Sequence, residues 1–349
     1  MIRARNPSHG TRVRRSKRRL LADAMQQSRL DALLLRVPCW RGVVALTYHR
    51  IGDGSSSDLY PGVWSATADG LDRQLKLIKR HFDLIDPHRL TPELLAMRGR
   101  GVIVTFDDGY RDVYEVARPV LDANGVRAVM FLCSGFIDGV ATAWWDEIAW
   151  MLRRSTVDEL APGPWSDSPL ALRDERLPEV IDVVTGAYWA LEDGAGEPFL
   201  ERLGQATGAG RRPPAPDDWI TWEMARALKS AGHVIGGHTV THPILSRSPP
   251  VRQREEIVRS LDRIEAETGE RPRLFAYPVG TRAAINESAR QSARDAGIEL
   301  AFSNYRGHVT ARNFSAFDVR RIPAEILRVR SILSATLALP QVFARPYRP

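Results

Sequence analysis

The chain is short of cysteine, of long apolar runs and, over its first stretch, of acid. Its two cysteines in 349 residues, Cys39 and Cys133, are far apart and give neither a disulfide framework nor a metal-ligand spacing. Both sit among apolar residues, so both read as buried structural thiols. No stretch approaches the roughly 20 uninterrupted apolar residues of a membrane span. The most apolar short runs, 43-VVAL-46 and 102-VIVTF-106, have the length of buried strands. A secretory signal would need an apolar core of about 7–15 residues behind its charges. Here 21-LADAMQQSRLDALLL-35 is amphipathic and broken by charge, so the expected location is the cytoplasm or its membrane face. No Gly-rich phosphate loop occurs, and no repeat is visible at solenoid periods.

Acid is missing altogether from residues 1–20, which hold eight Arg and Lys. Such an arm could touch nucleic acid or an anionic membrane; its composition also suits a solvated, disordered tail. The net charge of +7 is therefore unevenly placed, whereas 44% hydrophobic and 26% charged residues are ordinary for a soluble globular chain.

What is present is alternation. Apolar runs at 42–50, 101–106, 126–132, 233–238, 273–278 and 298–303 read as strands. Segments at 20–36, 68–85, 91–96, 112–124, 221–232, 250–268 and 284–296 read as helices. In one of them Leu71, Leu75, Ile78 and Phe82 share a single helical face. Strands alternating with helices imply a mainly parallel sheet, open or closed into a barrel. Ligands of such folds gather at the C-terminal ends of the strands. Residues 139–218 break the rhythm with 144-WWDEIAWML-152 and two Pro/Gly-rich stretches, and read as a mostly helical insertion. The expected organisation is a basic arm and amphipathic helix over 1–36, a barrel over 37–325 carrying the insertion, and a tail over 326–349.

Chemistry collects at the strand ends. The hexamer TFDDGY, residues 105–110, places Asp107 and Asp108 side by side where an apolar run stops. Adjacent carboxylates are costly to desolvate unless positive charge sits beside them; an acidic turn is the plainer explanation. The string 238-HTVTH-242 offers two imidazoles, His238 and His242, at a spacing that lets both reach one ion. Asp108 would complete a His₂-carboxylate set with open positions for water and substrate. Asp107 would then be held near the ion, free to act as general base.

TFDDGY, HTVTHP and FAYPVG, in this order, resemble the polysaccharide deacetylases of the NodB-homology type, carbohydrate esterase family 4. The resemblance covers roughly residues 42–135 and 220–325. It implies an α/β fold, a distorted (β/α) barrel, and a divalent metal, Zn²⁺ first with Co²⁺, Ni²⁺ or Mn²⁺ as other candidates. The implied reaction is hydrolysis of an N-acetyl group on an amino sugar. Carried over by motif, Asp107 is the base, and Asp108, His238 and His242 bind metal. A backbone N–H within Tyr277, Pro278 and Val279 helps to hold the oxyanion, a donor of a kind worth about 3–4 kcal/mol.

The chain departs from the family twice. Many members carry in the third motif an Arg that orients the base, where this chain has Ala276. Arg321, in 320-RRIPAE-325, is the candidate replacement; the alternative is a strand end with solvated arginines. The usual C-terminal strand ending in Leu-x-His is also absent after residue 325. Instead 43-VVALTYH-49 resembles the rearranged members, in which that strand lies at the N-terminus, and His49 would protonate the leaving amine. A capping or core histidine is the bland alternative, and His308 is a competing acid. Tyr110 and Trp145 are further candidates for the substrate surface, although a Trp144–Trp145 pair is more often core.

The expected protein is thus a metal-dependent deacetylase acting on an amino-sugar glycan or glycolipid, with no nucleic-acid partner. A lipid-linked sugar deformylase or deacetylase at the membrane face, touching it through residues 1–36, is one rival. A catalytically silent carbohydrate-binding protein is another.

Overall fold

Seven parallel strands pair in chain order in the computed structural model, which describes residues 16–37, 39–97 and 99–345. They are β1 Gly42–Tyr48, β2 Arg100–Phe106, β3 Val129–Leu132, β4 Val234–Gly237, β5 Leu274–Ala276, β6 Leu300–Ser303 and β7 Val319–Pro323. β7 pairs back onto β1 through Ala45 and Arg321, and β1 pairs with β2 along its whole length, so the sheet closes into a barrel. A short strand, Asp83–Leu84, adds to β2 outside the ring.

The apolar runs are continuous because both faces of each strand are covered. Successive side chains alternate. Val43, Ala45, Ile103, Phe131, Ala276 and Phe302 share one apolar cluster inside the barrel. Their neighbours Val44, Leu46, Val104, Phe106 and Met130 pack outward under the helices. Each large side chain so buried contributes about 1.5–3 kcal/mol relative to exposure. β4 carries Gly236 where a Cβ would lie 2.5 Å from the Phe131 ring, so its lack of a side chain lets that ring fill the interior. Outside, the helix Ala68–His81 starts on Thr67, whose hydroxyl accepts from Gly70 N–H, and turns Leu71, Leu75 and Ile78 onto the barrel.

Three expectations change. The segment 319–323, for which a strand end with solvated arginines was one alternative, is a full barrel strand; buried Arg321 interrupts its apolar pattern. The single helix expected over 20–36 is two helices, Lys17–Gln27 and Leu30–Arg36. The Ser28 hydroxyl donates back to the Ala24 carbonyl and Arg29 turns left-handed at φ 59°, which ends the first helix. Cys133 is buried as expected, but Cys39 is exposed.

The two flanks also meet. Ala22 and Met25 cluster with Ala335 and Phe343 of the C-terminal segment. Ser331 donates to Asp23 at 2.6 Å and Ser334 to Asp31 at 2.7 Å. Residues 1–15 of the basic arm and 346–349 of the tail lie outside the described residues.

Residues 139–218 form the helices Trp144–Arg153, Leu177–Trp189 and Gly196–Thr207 with one small hairpin. Their Ile148, Leu152, Ile181 and Phe199 run into the same apolar cluster as the outward faces of the barrel strands. Among the described residues no helix is long and apolar enough to cross a membrane.

Candidate metal centre and catalytic rim

Asp107 and Asp108 sit where β2 ends. Asp107 N–H still bonds the Tyr48 carbonyl at 2.9 Å, continuing the ladder, and Asp108 then turns left-handed at φ 73°. That turn sends the two carboxylates apart. Thr239, His242 and Val279 are also left-handed, at φ 68°, 55° and 61°, on the loops after β4 and β5. Strained residues of this kind, costing about 1–3 kcal/mol each, gather at functional sites.

Asp108, His238 and His242 come together: one ligand atom from each lies within 4.8 Å of the others, and all three side chains are buried. His238 Nε2 stands 3.3 Å and His242 Nε2 3.5 Å from Asp108 Oδ1. His238 Nδ1 donates to the Ala276 carbonyl at 2.7 Å, which leaves the Nε2 lone pair facing the carboxylate. Burial lowers the His242 pKa to about 3, so its imidazole is neutral, the form that ligates. For Asp108 burial acts upward, but the facing imidazoles of His238, His242 and His49 outweigh it and lower its pKa to about 2. Asp108 Oδ1 and His242 Nδ1 are nonetheless buried without a hydrogen-bond partner. Two imidazoles and a carboxylate whose Oδ1 is orphaned between them fit a divalent cation of the Zn²⁺ type.

The HTVTH loop is braced from outside. Glu256, on the helix Pro250–Thr268, accepts from Val240 N–H, Thr241 N–H and the Thr241 hydroxyl at 2.7–2.9 Å. Sequence reasoning missed it; nothing at sixteen residues' remove signals such a brace.

Asp107 has the opposite surroundings. Arg321 Nη1 and Nη2 grip both its oxygens at 2.6 and 2.8 Å. The guanidinium is fully buried inside the barrel, over the rings of Phe131 and Phe302. It also donates to Thr105 Oγ1 and the Ser303 carbonyl. Arg321 is therefore no solvated strand end.

His49 stands one residue beyond β1. Its Nδ1 lies 2.9 Å from Glu325 Oε1, and Ser65 donates to the same oxygen. Burial acts to lower its pKa, but the Glu325 charge and hydrogen bond, with Asp108 and Asp107 adding, raise it to about 9. Glu325 was missed, although it ends the string 320-RRIPAE-325 and an acid just past a strand is a rim signal. His308 packs edge-on against Trp40, beside Val309, which bridges to Val43 near the start of β1. Seven strand residues, about 20 Å, separate that end from His49.

In the third motif the Tyr277 N–H is spent on the Phe302 carbonyl and its hydroxyl donates to the Phe317 carbonyl. Pro278 has no N–H. Val279 N–H makes no hydrogen bond among the described residues, which leaves it as the available donor.

Tyr110 and Trp145, expected at the substrate surface, are buried. Trp145 donates to the Tyr110 hydroxyl, which donates to Asp146, and the Trp145 ring stands edge-on to His242 with centroids 4.5 Å apart. Large apolar rings are driven behind the site, where they back His242.

A closed parallel barrel with its charged groups gathered at the C-terminal rim is the layout of an α/β-barrel enzyme. The chain belongs to the polysaccharide deacetylase family: the family model of that description matches residues 96–158 and 188–301, just over half of the chain. Membership carries the coarse activity, hydrolytic deacetylation of carbohydrate. His49, Arg321 and Glu325 fall outside the matched stretches.

Solved structures share the fold. A Streptococcus pyogenes deacetylase, PplD, in complex with acetate is 19% identical (TM-score 0.51), covering 81% of this chain and 92% of its own. IcaB from Ammonifex degensii is 18% identical (TM-score 0.53), covering 87% and 98%. BC0361, a polysaccharide deacetylase from Bacillus cereus, is 14% identical (TM-score 0.53), covering 85% and 69%. No curated protein matches the chain.

Proposed function

We infer that the protein is a metal-dependent hydrolase that removes N-acetyl groups from amino sugars of a polysaccharide or glycan. The observation that carries this reading is the contrast between two neighbouring aspartates. Asp107 has both oxygens on a guanidinium, while Asp108 Oδ1 has no donor and faces two imidazoles.

A divalent ion held by Asp108, His238 and His242 would supply a polarised amide carbonyl and a water acidic enough to ionise near neutrality. Arg321 aims Asp107 through two hydrogen bonds, so that this carboxylate takes the proton of the attacking water. Val279 N–H, the donor left free in the third motif, faces the charge that develops on the carbonyl oxygen. His49, kept protonated at neutral pH by Glu325, gives its proton to the departing nitrogen. The place of β1, between β7 and β2, supports the reading of its strand as one moved from the C-terminus, since in a closed ring first and last positions coincide.

The test is metal content and amine release on one purified sample, with N-acetylglucosamine oligomers, wild type beside Asp108→Ala. About one metal per chain, lost in the variant together with amine release, is the expected result. A variant that keeps both its metal and its rate would overturn the assignment.

A further inference from the structure

We propose that the N-terminal helical hairpin, Lys17–Gln27 and Leu30–Arg36, is a docking surface for an anionic lipid bilayer. Of nine large apolar side chains that stand exposed among the described residues, five fall between positions 20 and 37. They are Leu20, Leu21, Leu30, Leu33 and Val37, with Leu33 57% and Leu20 52% exposed. The other four, Val140, Val157, Val183 and Val251, are scattered, as single exposed apolar residues normally are. On the second helix Leu30 and Leu33 share one face at the i, i+3 spacing, and Val37 follows at the helix end.

Charge decides what covers these leucines. Residues 16–41 contain six basic side chains, of which Lys17, Arg18, Arg29, Arg36 and Arg41 are exposed. The same stretch contains two acids, and both are engaged: Asp23 accepts from Ser331 and pairs with Arg19, and Asp31 accepts from Ser334. The outward surface is thus leucine and arginine without acid, and the preceding fifteen residues add five more arginines and no acid. Exposed leucines ringed by cations suit the interface of an anionic membrane, where the apolar tips enter the acyl boundary and the cations meet headgroups. The helices are not a detachable tail, because Ala22, Met25 and Leu35 are buried in the body of the protein. Deleting them would uncover core, so substitutions are the proper test. This inference is independent of the deacetylase reading, and its readout needs no turnover.

The experiment is flotation of the full chain with phosphatidylcholine vesicles, with and without about 30% phosphatidylglycerol. The wild type floats with the anionic vesicles, binds neutral ones at least about tenfold more weakly, and is released by added salt. Leu30→Ser with Leu33→Ser weakens anionic binding at least about tenfold. Arg29→Glu with Arg36→Glu keeps the leucines and abolishes the preference for anionic lipid. Val251→Ser, at a distant exposed valine, floats as the wild type does. Thermal melts that match the wild type show that the variants fold. Absence of flotation, or a leucine variant that floats undiminished, overturns the proposal. So does a wild-type dimer that the leucine variant converts to monomer, which would make the patch an interface between two copies.

Discussion

Asp107 and His49 occupy neighbouring strand ends, after β2 and β1, and each is held by an oppositely charged partner from one short stretch of chain. Arg321 lies on β7 and Glu325 just beyond it. The two pairs are built differently. Asp107 and Arg321 are closed off from water, joined by two hydrogen bonds and seated on aromatic rings. His49 and Glu325 share one hydrogen bond and keep 18% and 13% of their side chains exposed. On the proposed mechanism the difference is functional: a base must stay charged and aimed, whereas an acid must regain its proton from solvent after each turnover.

The sharpest break in this comparison is Asp107→Asn, which keeps the shape and removes the basicity. Its kcat should fall by roughly 10²–10⁴, the usual worth of a positioned base, with metal content unchanged. A rate within tenfold of wild type would remove Asp107 from the role.

Next comes the partner's removal. Arg321→Ala leaves a buried carboxylate uncompensated and should cost about 3–5 kcal/mol in urea unfolding. Glu325→Gln touches a partly solvated pair and should cost less, about 1–2 kcal/mol near neutral pH. Equal losses would mean that the two pairs do not differ in the way their burial indicates. Between these effects in size falls Glu256→Gln. It loosens the loop that carries His238 and His242 and should weaken metal affinity by about 10–100-fold, read by competition with a chelator.

How much of this was legible in the sequence follows the same division. Asp107, Asp108, His238 and His242 could be nominated because each falls at or within a few residues of its own strand end, where short spacing shows. The seven-stranded barrel was foreshadowed by six apolar runs. The seventh escaped as a strand because its interior position holds Arg321 rather than an apolar residue. Arg321 meets Asp107 across 214 positions, and Glu325 meets His49 across 276. His49 was also visible at a strand end, but its role as acid and Arg321 as partner of the base were reached only through family resemblance, and Glu325, Ser65 and Glu256 not at all. Pairings across the closure of a barrel leave no local periodicity. Tyr110 and Trp145 were misplaced for the opposite reason, since burial of their rings outweighs their stacking value to a sugar.

The last test separates the pairs by pH. His49 has its pKa raised from the ordinary 6.5 to about 9 in the folded protein. Its pairing therefore contributes stability that is full below the unfolded value and is lost as pH rises through about 9. The same titration sets where the acid loses its proton, hence the alkaline limb of kcat/KM. Glu325→Gln removes the charge that holds the proton while burial still opposes it, so the limb should move down toward the ordinary imidazole range. Near pH 6 the variant should retain activity within about tenfold of wild type, and the gap should widen steadily above pH 7. A pH profile of kcat/KM for both proteins decides it: an unmoved alkaline limb would assign the proton donor to a group other than His49.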